Sequence, residues 1–185
     1  MHKDISFLDD GFSLVTGASL QRFPEAIPAF RGIFILFVKD GQEILRKSNC
    51  NVGDNSSYCG VGYFHLFTGQ TFDLRQELQQ HLVGMALTSA FKTALIALQY
   101  EHLSIWPEMD ALMGIMDRKL GLFLKDNLLV AYKHEKISKN GEADLIERLG
   151  GPLNLGSKFQ RAQLANLKAL QQKFREEMFG PVFPV

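Results

Sequence analysis

The stretch Gly32-Ile33-Phe34-Ile35-Leu36-Phe37-Val38 constrains the fold more than any other part of the chain. It is an unbroken apolar run rich in β-branched and aromatic side chains, and Lys39-Asp40-Gly41 closes it. It falls far short of the ~18 apolar residues that a membrane-crossing helix needs. It reads as a buried strand followed by a turn. A buried strand requires a core, and the composition supplies one: 46% of the 185 residues are hydrophobic and 15 are Phe.

Around this strand the pattern changes from one element to the next. Residues 1–30 read as an irregular N-terminal extension punctuated by Pro24 and Pro28. Residues 46–60, rich in Asn, Ser and Gly, read as a surface loop, and a second strand is expected over Val61–Phe67. Beyond Phe72 the period becomes helical: Leu74, Leu78, His81 and Leu82 share one side, with Asp73 near the start. Thr88 or Ser89 is placed to cap a further helix through about Gln99. Met109, Leu112, Met113, Met116 and Leu120 stripe another, and residues 128–133 read as a third strand. Leu145, Ile146 and Leu149 line a short helix stopped by Gly150-Gly151-Pro152. Leu164, Leu167, Leu170, Phe174 and Met178 mark a last long helix over 157–178. The expected class is α/β or α+β, a small three-stranded sheet flanked by helices. The length suits one domain over 31–156, with residues 157–185 added as a C-terminal helix and apolar tail.

Charge narrows the function classes. Lys plus Arg (20) balances Asp plus Glu (20), so no overall field draws the chain to nucleic acid or an anionic membrane. Cys50 and Cys59 are too far apart for a CxxC motif and read as free thiols, with a disulfide across that loop as the alternative. The first residues lack the basic and apolar regions of a signal peptide, so a cytoplasmic protein without membrane contact is expected.

Three ordered segments resemble the GIY-YIG nuclease superfamily. The first is Gly32-Ile33-Phe34. The second is Phe67-Thr68-Gly69-Gln70-Thr71, continuing through Asp73-Leu74-Arg75 to His81. The third is Glu142, then Leu145-Ile146, then Gly151-Pro152-Leu153-Asn154-Leu155; Ser89-Ala90-Phe91 adds weaker support. The likeness covers roughly residues 30–155. It implies a GIY-YIG-like domain that hydrolyses a phosphodiester with one Mg²⁺ or Mn²⁺ ion. Two strand tyrosines would act on the water, a helix arginine would hold the phosphate, a glutamate would bind the metal and an asparagine would brace the site. A hard cation suits this work, because it takes carboxylate and water oxygens and offsets charge on the phosphate.

The sequence departs from that pattern at the reacting positions. The tyrosine positions fall on Phe34 and Phe67, and the arginine position on Glu77. A phenyl ring neither accepts a proton nor gives a hydrogen bond, and a carboxylate repels the phosphate it should clamp. General acid–base help is typically worth about 10²–10⁴-fold, so cleavage is expected to be lost. Glu142 keeps the metal position and Asn154 the bracing one; the bland alternative makes them a helix first-turn residue and a turn residue.

Other groups compete for these roles. Glu77 and His81, four apart, form a candidate metal or acid–base pair, although such pairs are more often semi-buried contacts. Arg75 points about 160° away from Glu77 on a helix and is expected at the surface edge. Tyr63, four residues before Phe67, should share its face and is the best displaced phenol. On the C-terminal helix Arg161, Lys168 and Arg175 line up beside the apolar face. They form a candidate phosphate-backbone contact, or simply a solvated flank. The apolar tail Phe179–Val185 either folds back on the core or is a candidate contact for another protein or a second copy of this chain.

The leading expectation is a GIY-YIG-like pseudo-nuclease that acts by binding DNA or a protein partner. Its alternatives are a divergent, active Mg²⁺-dependent endonuclease and an interaction module with no nucleic-acid role.

Overall fold

The computed structural model describes residues 11–41, 43–44, 62–85, 88–100, 109–135, 153–154, 169, 172–173 and 176, with the side chains of 97–100 and 109–113 left aside. It is a mixed α+β fold around a four-stranded sheet. In chain order the elements are β1 (Ser13–Thr16), α1 (Gly17–Arg22), a 3₁₀ turn (Pro24–Ala26), β2 (Gly32–Lys39), β3 (Tyr63–Thr71), α2 (Leu74–Leu82), α3 (Ala90–Tyr100), α4 (Met109–Asn127) and β4 (Leu128–His134). The strands lie in the order β1-β4-β2-β3, and every neighbouring pair is antiparallel.

The fourth strand corrects the expected three. Residues 1–30 read as irregular, yet Ser13–Thr16 pairs with β4 from Ser13 opposite Tyr132 to Thr16 opposite Leu129. Four residues carry too little periodicity to announce a strand. Their pairing energy comes from a partner more than a hundred positions away, which no local pattern records. Directly after it, the Thr16 side chain accepts from the Ser19 main-chain N–H at 3.2 Å and caps α1.

The apolar run of β2 is buried from Gly32 to Val38, because it is an inner strand with apolar groups on both faces. Phe34, Leu36 and Val38 face the main core, where Leu74, Leu78 and Leu82 of α2, Phe91 and Leu95 of α3, and Met116, Leu120 and Leu124 of α4 meet them. Ile35 and Phe37 turn the other way, onto Ala131, Phe12, Tyr63 and Leu129. The turn after β2 forms where Lys39-Asp40-Gly41 predicts it, with Asp40 at φ 55° and its N–H on the Gly62 carbonyl at 2.9 Å.

β3 runs four residues past its expected end, to Thr71, and is bulged. Leu36 lies opposite Phe67 but Phe37 lies opposite His65, so Leu66 is the extra residue on β3. The bulge turns two successive side chains, Leu66 and Phe67, onto the helix-covered face. It also overturns the shared face expected for Tyr63 and Phe67. Tyr63 packs with Ile35 and Phe37 on the opposite side, because one inserted residue reverses the alternation. Tyr63 therefore cannot stand in for a phenol at Phe67.

Among the described residues no helix is long and apolar enough to cross a membrane.

Candidate functional site

Phe34, Phe67, Glu77 and His81 meet at one place where β2, β3 and α2 converge. Asp73 starts α2 by accepting the Gln76 N–H at 3.0 Å on its side chain. That cap sets the phase of the helix, and Leu74, Leu78, His81 and Leu82 then face the sheet. The Phe34 and Phe67 rings stack with centroids 6.2 Å apart. The His81 imidazole lies 5.3 Å from Phe34 and 5.4 Å from Phe67, and Phe91 of α3 closes the group at 5.8 Å from Phe67 and 6.0 Å from His81. Such ring distances are those of favourable aromatic pairs.

A glycine makes the arrangement possible. Gly69 is the cross-strand partner of Phe34, and the ring lies over it. A Cβ on Gly69 would stand 2.5 Å from Phe34 Cζ and 2.8 Å from Cε1, closer than packed carbons approach.

His81 is the chemical centre of the group. Its side chain is 3% exposed, Nε2 lies 3.3 Å from Oε1 of Glu77, and Nδ1 lies 2.8 Å from Oγ of Ser89. Burial lowers the imidazole pKa from 6.5 to about 4, and the positive charge of Lys92 adds to the shift. The Glu77 carboxylate pulls the other way, but it is 41% exposed and water weakens its hold. His81 is therefore a neutral imidazole at pH 7. Lys92 itself is buried with its ammonium on the Gly84 carbonyl and 3.5 Å from Asp117. Burial lowers its pKa while Asp117 opposes the shift.

Carboxylate, imidazole and hydroxyl thus stand in line as Glu77, His81 and Ser89, but not as a nucleophilic triad. Ser89 is 1% exposed, and its Oγ accepts the Lys92 N–H at 3.1 Å as the cap of α3. A hydroxyl sealed in this way has no substrate to attack.

Asn154 joins the site along β3. β3 is an edge strand, and the Leu153 N–H donates to the Leu66 carbonyl at 2.8 Å. The Asn154 side chain continues the pairing: Oδ1 accepts the Thr68 N–H at 2.8 Å and Nδ2 donates to the Thr68 carbonyl. One side-chain amide thereby replaces a strand partner for the residue after Phe67. Asn154→Ala leaves both main-chain groups of buried Thr68 without that partner, at roughly 1–3 kcal/mol each. Hydrogen exchange at the Thr68 amide should speed up while that of β2 amides changes only with global stability. Unchanged exchange at Thr68 would rule the brace out.

Arg75, expected at the surface edge, is half-buried there and tied down. Its Nε donates to the Ile27 carbonyl at 2.7 Å and its guanidinium to the Glu25 carbonyl at 3.1 Å, so it holds the 3₁₀ turn against α2 and does not reach the Glu77 side. Glu142, Arg161, Lys168 and Arg175 lie outside the described residues.

As a metal centre the described part of the site is poorly supplied. Mg²⁺ and Mn²⁺ favour several oxygen ligands, and here Glu77 is the carboxylate at the group while the Asn154 oxygen is taken by Thr68. No group of three His, Cys, Asp or Glu side chains that could hold a metal occurs among the described residues. These residues do not fit the implied cation by themselves. Sequence reasoning missed Gly69 as the floor for Phe34 and Ser89 as the partner of His81; the cap position of Ser89 was legible, its contact across to α2 was not.

Comparison with known proteins finds no matching family model, no matching curated protein and no matching solved structure.

Proposed function

We propose that the chain is a GIY-YIG-like pseudo-nuclease that works by binding and does not cleave. One observation carries the reading. Phe34 from the first segment of the resemblance meets Phe67, Glu77 and His81 from the second around the His81 ring, and Asn154, from the third, braces the strand that bears Phe67. The group has the layout of a reaction site but hydrocarbon rings at the phenol positions and a negative charge at the phosphate clamp. His81 offers no rescue: it is buried, and its pKa of about 4 makes it a poor base at neutral pH.

A protein partner suits this face better than DNA. The α2 segment between Leu74 and Leu82 carries one Lys or Arg, Arg75, and its guanidinium is committed to main-chain carbonyls. Glu77 and the neutral Gln76, Gln79 and Gln80 make up the rest of its polar side, and nothing there neutralises phosphate charge. DNA contact, if the chain makes it, falls to Arg161, Lys168 and Arg175.

Supercoiled plasmid incubated with Mg²⁺ or Mn²⁺ tests the loss of cleavage. The wild type should leave it intact, and metal-dependent nicking that disappears in Glu142→Ala would establish the active-endonuclease alternative instead. A labelled duplex titrated across a salt series tests the DNA arm. A steep salt slope that flattens in Arg161→Ala/Lys168→Ala supports it, and no binding at low salt leaves the protein partner. The triple change Phe34→Tyr/Phe67→Tyr/Glu77→Arg asks whether the family groups restore nicking on this scaffold.

A further inference from the structure

We infer that Ser89 is a positioning residue that holds His81 in the tautomer with its hydrogen on Nε2, so that the site turns a hydrogen-bond donor, and no basic nitrogen, towards Glu77. The hydroxyl of Ser89 has one hydrogen and two lone pairs to distribute. One lone pair takes the Lys92 main-chain N–H at 3.1 Å, the cap of α3. The other close neighbour is His81 Nδ1, at 2.8 Å. Were Nδ1 protonated, Ser89 would accept twice and its own hydrogen would be buried with no acceptor among its described contacts, an arrangement that buried polar groups avoid. With Nδ1 as the acceptor every group of the Ser89 hydroxyl is used, and the hydrogen of the neutral ring must sit on Nε2.

Two further features agree. Nε2 faces Oε1 of Glu77 at 3.3 Å, and a carboxylate stabilises an N–H there and opposes a lone pair. Phe34, Phe67 and Phe91 pack around the imidazole with ring centroids 5.3–6.0 Å away, which hinders the half-turn that would exchange its nitrogens with its carbons. Nε2 lies 3.3 Å from Glu77 without forming a hydrogen bond, so among the described residues it is a buried donor short of an acceptor. The ring then offers no basic nitrogen on its Glu77 side. On the pseudo-nuclease reading, from which this inference takes its functional meaning, Ser89 keeps the imidazole beside Phe34 and Phe67 from offering a basic nitrogen towards Glu77.

Imidazole ¹⁵N spectroscopy of histidine-labelled protein at neutral pH tests it directly, with no DNA or metal present. The wild type, Ser89→Thr and Glu77→Gln should each show His81 as the single Nε2–H tautomer. Ser89→Ala should show the Nδ1–H form as a substantial second population. An Nδ1–H ring in the wild type overturns the inference, as does a tautomer that switches in Glu77→Gln or stays pure in Ser89→Ala. Should Ser89→Ala fail to fold, the wild type and Glu77→Gln still decide, because a tautomer set by the carboxylate changes in the latter. Failure here leaves the plasmid result untouched, and nicking in the plasmid assay leaves the tautomer untouched.

Discussion

Phe34→Ala should lower folding stability by about 3–5 kcal/mol, the usual range for removing a buried aromatic ring. The ring is 1% exposed, stacks on Phe67, touches His81 and covers Gly69, so its loss opens a cavity between β2 and α2 that rigid neighbours can only partly close. Equilibrium urea unfolding at pH 7 measures the change. The cavity also gives a second reading through Gly69. Gly69→Ala in the wild type forces a methyl against the Phe34 ring and should cost about 1–3 kcal/mol as overpacking. In the Phe34→Ala background the same methyl enters empty space, so the two changes should couple by about 1 kcal/mol or more in a double-mutant cycle. Additive losses would mean that the ring does not rest on Gly69. The chemical point is that Phe34 is tightly fitted as a hydrocarbon. Adding a hydroxyl at Cζ in Phe34→Tyr must find room and a partner in the same confined space.

Acid should destabilise the protein through His81. Its folded pKa of about 4 lies below the 6.5 of an unperturbed imidazole, so the unfolded chain binds the proton first as pH falls. The stability contributed by the neutral ring is complete above pH 6.5, drains away between 6.5 and about 4, and is gone below that. At about 1.4 kcal/mol per pKa unit, the full loss is about 3 kcal/mol. His81→Gln removes the titration and keeps a polar group facing Ser89, so its stability should be the flatter of the two across this window. Equal slopes for the two proteins between pH 6.5 and 4 would show that His81 is not buried as described. The chain has four other histidines, His2, His65, His102 and His134, and the variant leaves all of them in place.

The legible parts of the site were those set by one helix or one strand. Glu77 and His81 are four residues apart on α2, and their contact at 3.3 Å follows from helical geometry alone. The proximity of Phe34 and Phe67 was legible only through the resemblance, since two residues 33 positions apart become neighbours when β2 and β3 pair in one register. Tyr63 shows where period-based reading stops. The inference that four residues equal two strand repeats is sound for a regular strand and wrong across a bulge. Nothing in Tyr63–Phe67 marks Leu66 as the extra residue, because all of these side chains can be buried on either face.

The amino-acid order by itself determined the elements whose preferences are local. The apolar run from Gly32 to Val38 made β2 an inner strand, Asp40 its turn, Asp73 the start of α2, and the spacing of Met116 and Leu120 the buried side of α4. Tertiary structure alone decided the partnerships: β1 on the flank of β4, the bulge that separates Tyr63 from Phe67, and the Asn154 amide laid along Thr68 from 86 positions away. Local preferences act through backbone sterics and caps within a few residues, so they are written in short windows. Pairings over long separations are chosen by which faces can be buried together, and that choice exists only when the whole core assembles.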